Sequence, residues 1–142
     1  MDRVWLRVLA YAWQWSARLE SGAGLSDPDA ADLQATSLTG DVTHWVRVGK
    51  ADPGKIQRIV DHHHGAKVAV LFESPLRLSQ FLAASTEFPR SRAAELCVVD
   101  PVFLAALAAN EQRRQRAAIT LVGDHFYVDR DGVAVDGPLT RG

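Results

Sequence analysis

Hydrophobic positions in this chain follow two different periods, and the switches between them outline the elements. From Val4 to Leu19 the apolar residues Val4, Leu6, Val8, Leu9, Tyr11, Ala12, Trp13 and Leu19 cover most of a helical circumference. The polar residues Arg3, Arg7, Gln14 and Arg18 fall on one narrow stripe of it. This pattern predicts a helix buried on nearly every side. Asp2 is placed to cap it, and Ser21-Gly22-Ala23-Gly24 to end it. Trp5, Trp13 and Trp15 read as core packing, since no polar partners accompany the rings to make a ligand box.

The next stretch, Ser26 to Lys50, changes to a strand period. Asp32 to Leu38 is half-polar, the chain reverses at Thr39-Gly40, and Val42 to Val48 returns, which predicts a β-hairpin. Antiparallel pairing brings Pro28-Asp29 near Arg47-Val48-Gly49-Lys50. Asp52-Pro53 then opens a helix with Ile56, Ile59 and Val60 on its apolar face, and Gly65 stops it. Lys67 to Phe72 is a short, almost wholly apolar run, as a central strand covered on both faces would be. Ser74-Pro75 starts a helix bearing Leu76, Leu78, Phe81 and Leu82. Leu96 to Val99 predicts a second buried strand, and Asp100-Pro101 a helix from Val102 to about Arg114. The segment from Ile119 to Val135, punctuated at Gly123-Asp124 and Asp131-Gly132, reads as a small β-meander.

The order helix, hairpin, helix, strand, helix, strand, helix, hairpin fits a mixed α/β sandwich around a central sheet. At 142 residues, 47% of them hydrophobic, the chain suits one domain, and no internal repeat or linker interrupts it. Sixteen basic against seventeen acidic residues leave a net charge of -1, so nothing global argues for nucleic acid or an anionic membrane. The apolar run near the N-terminus is broken by Arg7 and Gln14 and is too short to span a bilayer. Cys97, the one cysteine, sits in the apolar run Leu96 to Val99 and reads as a buried filler. With no disulfide available, a soluble, cytoplasmic protein is expected.

Candidate chemistry is sparse. His62, His63 and His64 are consecutive, and neighbours on a helix point about 100° apart, so they do not converge on one ion. They read as a solvent-facing helix end. Arg113-Arg114-Gln115-Arg116 is a basic run without interleaved aromatics, which limits it to weak nucleic-acid contact. Asp27-Pro28-Asp29 is an acidic turn with a purely local explanation or a role in a site. Serine-rich and glycine-rich stretches lack P-loop or nucleophile-elbow spacing, so a hydrolase triad has no support.

Several strings taken together resemble the YaeQ family of bacterial proteins: Asp2 to Tyr11 in the first helix, Ser26-Asp27-Pro28-Asp29 after it, Leu38-Thr39-Gly40, and His44-Trp45-Val46-Arg47-Val48-Gly49. Asp52 to Ile59 and Lys67 to Phe72 continue the likeness over nearly the whole chain. The resemblance implies a restriction-endonuclease-like PD-(D/E)XK fold, a mixed sheet flanked by helices with a C-terminal β-meander. In that fold clustered carboxylates and a lysine hold Mg²⁺ and activate water.

Carried over by position, the helix acid falls on Asp2 and the Pro-Asp acid on Asp29, with Asp27 and Asp29 the weak metal candidates. The pattern implies acids at positions 43 and 47, where this chain has Thr43 and Arg47. Its helix lysines fall near Gln57 and Arg58, with Lys50 or Lys55 as substitutes at other positions. Arginine stays charged at working pH, so an Arg47–Asp29 ion pair in the metal's place is expected. The resulting expectation is a non-catalytic protein with a degenerate site and no cofactor. The alternative is a Mg²⁺-dependent nuclease using Asp2, Asp27, Asp29 and Lys50 or Lys55. The resemblance further implies strands preceding the first helix that pair with the meander. A single domain beginning inside the motif would expose sheet edges there, and weak stability, self-association or a strand-donating protein partner is expected.

Overall fold

A computed structural model describes residues 2–16, 18–21, 31–109, 117–130 and 132–142. Among the described residues, four helices and eight strands follow one another as α1 (Asp2–Trp13), β1 (Glu20–Ser21), β2 (Leu33–Thr36), β3 (Val42–Val48), α2 (Pro53–His62), β4 (Lys67–Phe72), α3 (Pro75–Ala84), β5 (Glu95–Val99), α4 (Pro101–Ala109), β6 (Ala117–Val122), β7 (His125–Arg130) and β8 (Val133–Arg141). Two 3₁₀ turns, Ser85–Glu87 and Pro89–Ala93, link α3 to β5. The sheet order is β1-β2-β3-β4-β5-β8-β7-β6, with β3, β4 and β5 parallel and the other pairs antiparallel. The fold is therefore mixed α/β.

Helix starts follow local chemistry. Asp52 adopts an extended backbone and accepts the Gly54 N–H at 3.0 Å, with Pro53 at the first helical position. Ser74 does the same for α3 by accepting the Arg77 N–H at 3.3 Å, ahead of Pro75. Asp100 Oδ2 accepts the Phe103 N–H at 3.0 Å at the head of α4. Each cap satisfies an N–H that the first helical turn leaves without a partner.

The central strands are apolar throughout because both of their faces are covered. Ala69 and Leu71 of β4, with Cys97 and Val99 of β5, pack against Leu6 and Leu9 of α1 and Leu104 and Leu107 of α4. The alternate residues Val68, Val70, Phe72, Leu96 and Val98 pack on the opposite face, with Ile56 of α2 and Phe81 of α3. Fully burying one such side chain contributes roughly 1.5–3 kcal/mol. Cys97 lies wholly inside the first layer, where burial pushes its thiol up to about 11 and keeps it protonated.

Three expectations need correction. The first helix ends at Trp13 rather than near Leu19, and Glu20–Ser21 pairs with β2 as a short strand. Nor is α1 buried on nearly every side: Val8 and Tyr11 are exposed, and beyond the helix Trp15 is 66% exposed. Of the expected polar stripe, Arg7 in α1 and Gln14 just after it turn inward, donating to Asp32 O at 3.1 Å and Glu95 Oε2 at 3.0 Å. The meander, finally, does not stop at Val135. β8 runs on to Arg141, pairing with β7 up to Pro138 and with β5 from Leu139. Gly137 permits this crossing, since a Cβ there would overlap the Phe103 ring. Phe126, Val128 and Leu139 are consequently buried in the core, and β6 is the outermost strand among the described residues.

Candidate functional site

The hairpin of β2 and β3 fixes the geometry of one corner of the sheet. Its turn closes through Ser37 N–H to Asp41 O at 2.8 Å, with Gly40 at φ +89°. Thr36 pairs with Val42 but Ala35 with His44, so Thr43 is an extra residue on β3, a β-bulge. Thr43 Oγ1 donates across the bulge to Ala35 O at 3.2 Å. Beyond the bulge Leu33 faces Val46, which sets Asp32 across from Arg47.

Asp32 is wholly buried, and its Oδ2 accepts the Val48 N–H at 3.0 Å. Its own N–H donates to Val46 O at 2.9 Å, so backbone and side chain together clasp the end of β3. Arg47 Nη1 lies 3.8 Å from Asp32 Oδ2, with the two side chains 12% and 0% exposed. Arg47 Nε also donates to Lys50 O at 3.3 Å, which ties the guanidinium to the turn after β3. That turn uses Gly49 at φ +77°, whose N–H donates to Leu71 O at 2.8 Å. One residue before Trp45, His44 lies beside Lys67 of β4. Burial, with the Lys67 charge adding to it, holds the His44 imidazole below its ordinary 6.5.

The same turn and the first turns of α2 enclose a cleft of about 400 Å³. Among the described residues Arg47, Lys50, Lys55 and Arg58 bring four cations to its lining, Asp52 brings a carboxylate, and Trp45, Ile56 and Ile59 supply apolar wall. Lys55, Arg58 and Ile59 share a face because three- and four-residue spacings recur on one side of a helix.

The structure thus brings together four residues singled out in the sequence: Arg47, Lys50, Lys55 and Arg58. Thr43 stands on β3 at the bulge, engaged with the backbone of β2. Asp2 is placed at the start of α1, while Asp27 and Asp29 lie outside the described residues, as do Arg113, Arg114, Gln115 and Arg116. Among the described residues a carboxylate set against Arg47 is Asp32, which the sequence reading passed over as part of a half-polar segment, while the expected Arg47–Asp29 pair involves a residue outside the described ones. Of the histidine triplet, His62 and His64 are exposed at the end of α2, and the rings of His62 and His63 meet edge-on at 5.1 Å. For the Mg²⁺ that the resemblance implies, the described donors fit poorly. A hard cation takes several oxygen ligands, whereas Asp32 Oδ2 is spent on a backbone N–H and faces a guanidinium. Among the described residues no three His, Cys, Asp or Glu side chains gather to hold an ion.

The family profile described as YaeQ protein matches residues 1–137. The chain belongs to the YaeQ family. Two solved YaeQ proteins share its fold. That from Xanthomonas axonopodis pv. citri has 23% identity and a TM-score of 0.85, over 99% of this chain and 78% of that one. That from Pseudomonas syringae has 24% identity and a TM-score of 0.83, over 99% of this chain and 76% of that one. No curated protein matches the chain. Among the described residues of this YaeQ chain, no helix is long and apolar enough to cross a membrane.

Proposed function

We propose that this YaeQ-family chain is a single domain of restriction-endonuclease-like PD-(D/E)XK type that acts by binding and not by metal-assisted hydrolysis. The observation that carries this reading is the Arg47 guanidinium standing 3.8 Å from the buried Asp32 carboxylate. A fixed positive charge at that distance repels a divalent cation and occupies the space its ligands would need. Asp32 starts a strand beside a cleft that carries Lys50 and Lys55, so the corner has the outline of a nuclease site with its cation replaced. The protein works in the cytoplasm without a cofactor on this reading.

The competing reading is a Mg²⁺-dependent phosphodiesterase, favoured by Lys50 and Lys55 lining one cleft. A cleavage assay separates the two. Supercoiled plasmid and single-stranded DNA incubated with the protein and Mg²⁺ or Mn²⁺ are expected to remain intact. Cleavage that EDTA stops and D32N abolishes would overturn the binding-only reading.

A second element of the proposal concerns β6, which is the outermost strand among the described residues and has an uncharged sequence, Ala117 to Val122. Uncharged edges invite strand pairing, and a second copy or a strand-donating protein is the expected occupant. Size-exclusion chromatography finding only a stable monomer at high concentration counts against the second copy.

A further inference from the structure

The outermost strands among the described residues are built differently. β1 is two residues long and carries Glu20, the short and charged kind of edge that resists strand addition. β6 is six residues long, and its sequence has no charge and no proline. Val122 pairs with His125 across the tight turn Gly123-Asp124, and in such a hairpin the closing residue directs its backbone groups at its partner strand. By alternation Thr120 and Ala118 do the same, while Ile119 and Leu121 direct theirs outward.

Beside this edge runs a groove of about 350 Å³. Ile119 and Leu121 form one wall, and Val8, Tyr11, Ala12 and Trp15 form the other. Val8, Tyr11 and Ala12 share one face of α1 by their spacing, and Trp15 extends that stripe just past the helix end. Val8, Tyr11 and Trp15 are exposed. Apolar residues scattered singly on a surface need no explanation, but here two rings and a valine lie in line next to an outward-facing strand.

A two-fold axis sets a surface against its own copy, so any charge on it meets the same charge at a cost. Among the described residues neither wall of this groove carries one. We propose that this face binds a second copy of the chain, β6 pairing antiparallel with β6 about a two-fold axis normal to the sheet. The inference rests on the β6 edge proposed above and adds α1 to it. Residues opposite each other must point to the same side of the sheet, which limits the registers. The one centred on Thr120 sets two threonine hydroxyls side by side, a favourable cross-strand pair, and Ile119 opposite Leu121. The same axis brings the two α1 stripes together on one side of the joined sheet, where Tyr11 and Trp15 leave water. This interface holds fewer than the about 20–30 residues a side of a standard one, so the dimer is weak and forms at high concentration.

Sedimentation velocity from micromolar to millimolar protein tests it. The wild type is expected to pass reversibly from monomer to dimer. T120K opposes like charges across the axis and W15K puts a charge into the stripe, and each is expected to weaken the dimer at least tenfold. Both side chains are exposed, so the unfolding midpoints of the monomers should stay close to wild type. An equal mixture of T120K and T120E should form a dimer that neither variant forms alone, as a two-fold contact at Thr120 requires. A monomer at every concentration, a dimer that T120K leaves intact, or no dimer in the mixture would overturn the proposal. A dimer that T120K dissolves and W15K leaves unchanged would overturn the part of α1, and with it this proposal alone, while the β6 edge reading stands.

Discussion

Two arginine–aspartate pairs in this protein differ in a way that their distances conceal. On the outer surface Arg90 grips Asp61 through both Nε and Nη2 at 2.8 Å, with side chains 62% and 42% exposed. At the corner of the hairpin Arg47 approaches Asp32 only to 3.8 Å, with side chains 12% and 0% exposed. By geometry the first is the better ion pair. By consequence the second matters more, because water screens the first and would solvate either partner left alone. Asp32 has no such refuge, and removing its neighbouring charge leaves a buried carboxylate to be stabilised by hydrogen bonds. Burial, and not contact distance, decides which pair the fold depends on.

The largest expected effect is therefore at Arg47. R47M keeps the apolar stem but removes the guanidinium, and should destabilise the protein by about 3 kcal/mol in denaturant unfolding. D32N should cost less, about 1.5 kcal/mol, since an amide oxygen still accepts from Val48 N–H and Arg47 reaches solvent at its edge. The double variant R47M/D32N should lose less than the sum of the two, and strict additivity would show that the pair is not coupled. A smaller effect is expected at His44, whose folded pKa is held below 6.5 mainly by burial. A depressed histidine contributes stability that is present above the unfolded value and lost as pH falls through the folded one. Unfolding midpoints between pH 7.5 and pH 5 should fall in the wild type, and H44Q should flatten that slope. The smallest effect is expected at Arg90. Its hydrogen bond holds the Asp61 carboxyl below 3.8, so the contribution is present above that pH and lost as pH falls through the depressed value. R90A should shift the midpoint least of these variants, and moderate salt should erase the difference. A loss at R90A comparable to that at R47M would break the comparison.

Much of the layered fold was legible in the residue pattern. Asp52-Pro53, Ser74-Pro75 and Asp100-Pro101 marked three helix starts because a cap and a proline act locally. The apolar runs of β4 and β5 marked strands covered on two faces. What escaped depended on contacts distant in sequence. The end of α1 is set by Glu20–Ser21 pairing with β2, and the reach of β8 by pairing with β5 some forty residues earlier, neither of which leaves a local trace. The site itself turned on a single residue. Without the bulge at Thr43, counting back from the Thr36–Val42 pair would set Ala31 across from Arg47; the bulge moves that place to Asp32. An acid at the head of a strand opposite an arginine was the signal available for Asp32.

Calorimetric titration of Mn²⁺ into the wild-type protein, beside D32N, tests most directly whether Arg47 stands in for a cation. The account predicts no saturable heat in either protein up to millimolar metal. Stoichiometric one-site binding in the wild type that disappears in D32N would contradict it.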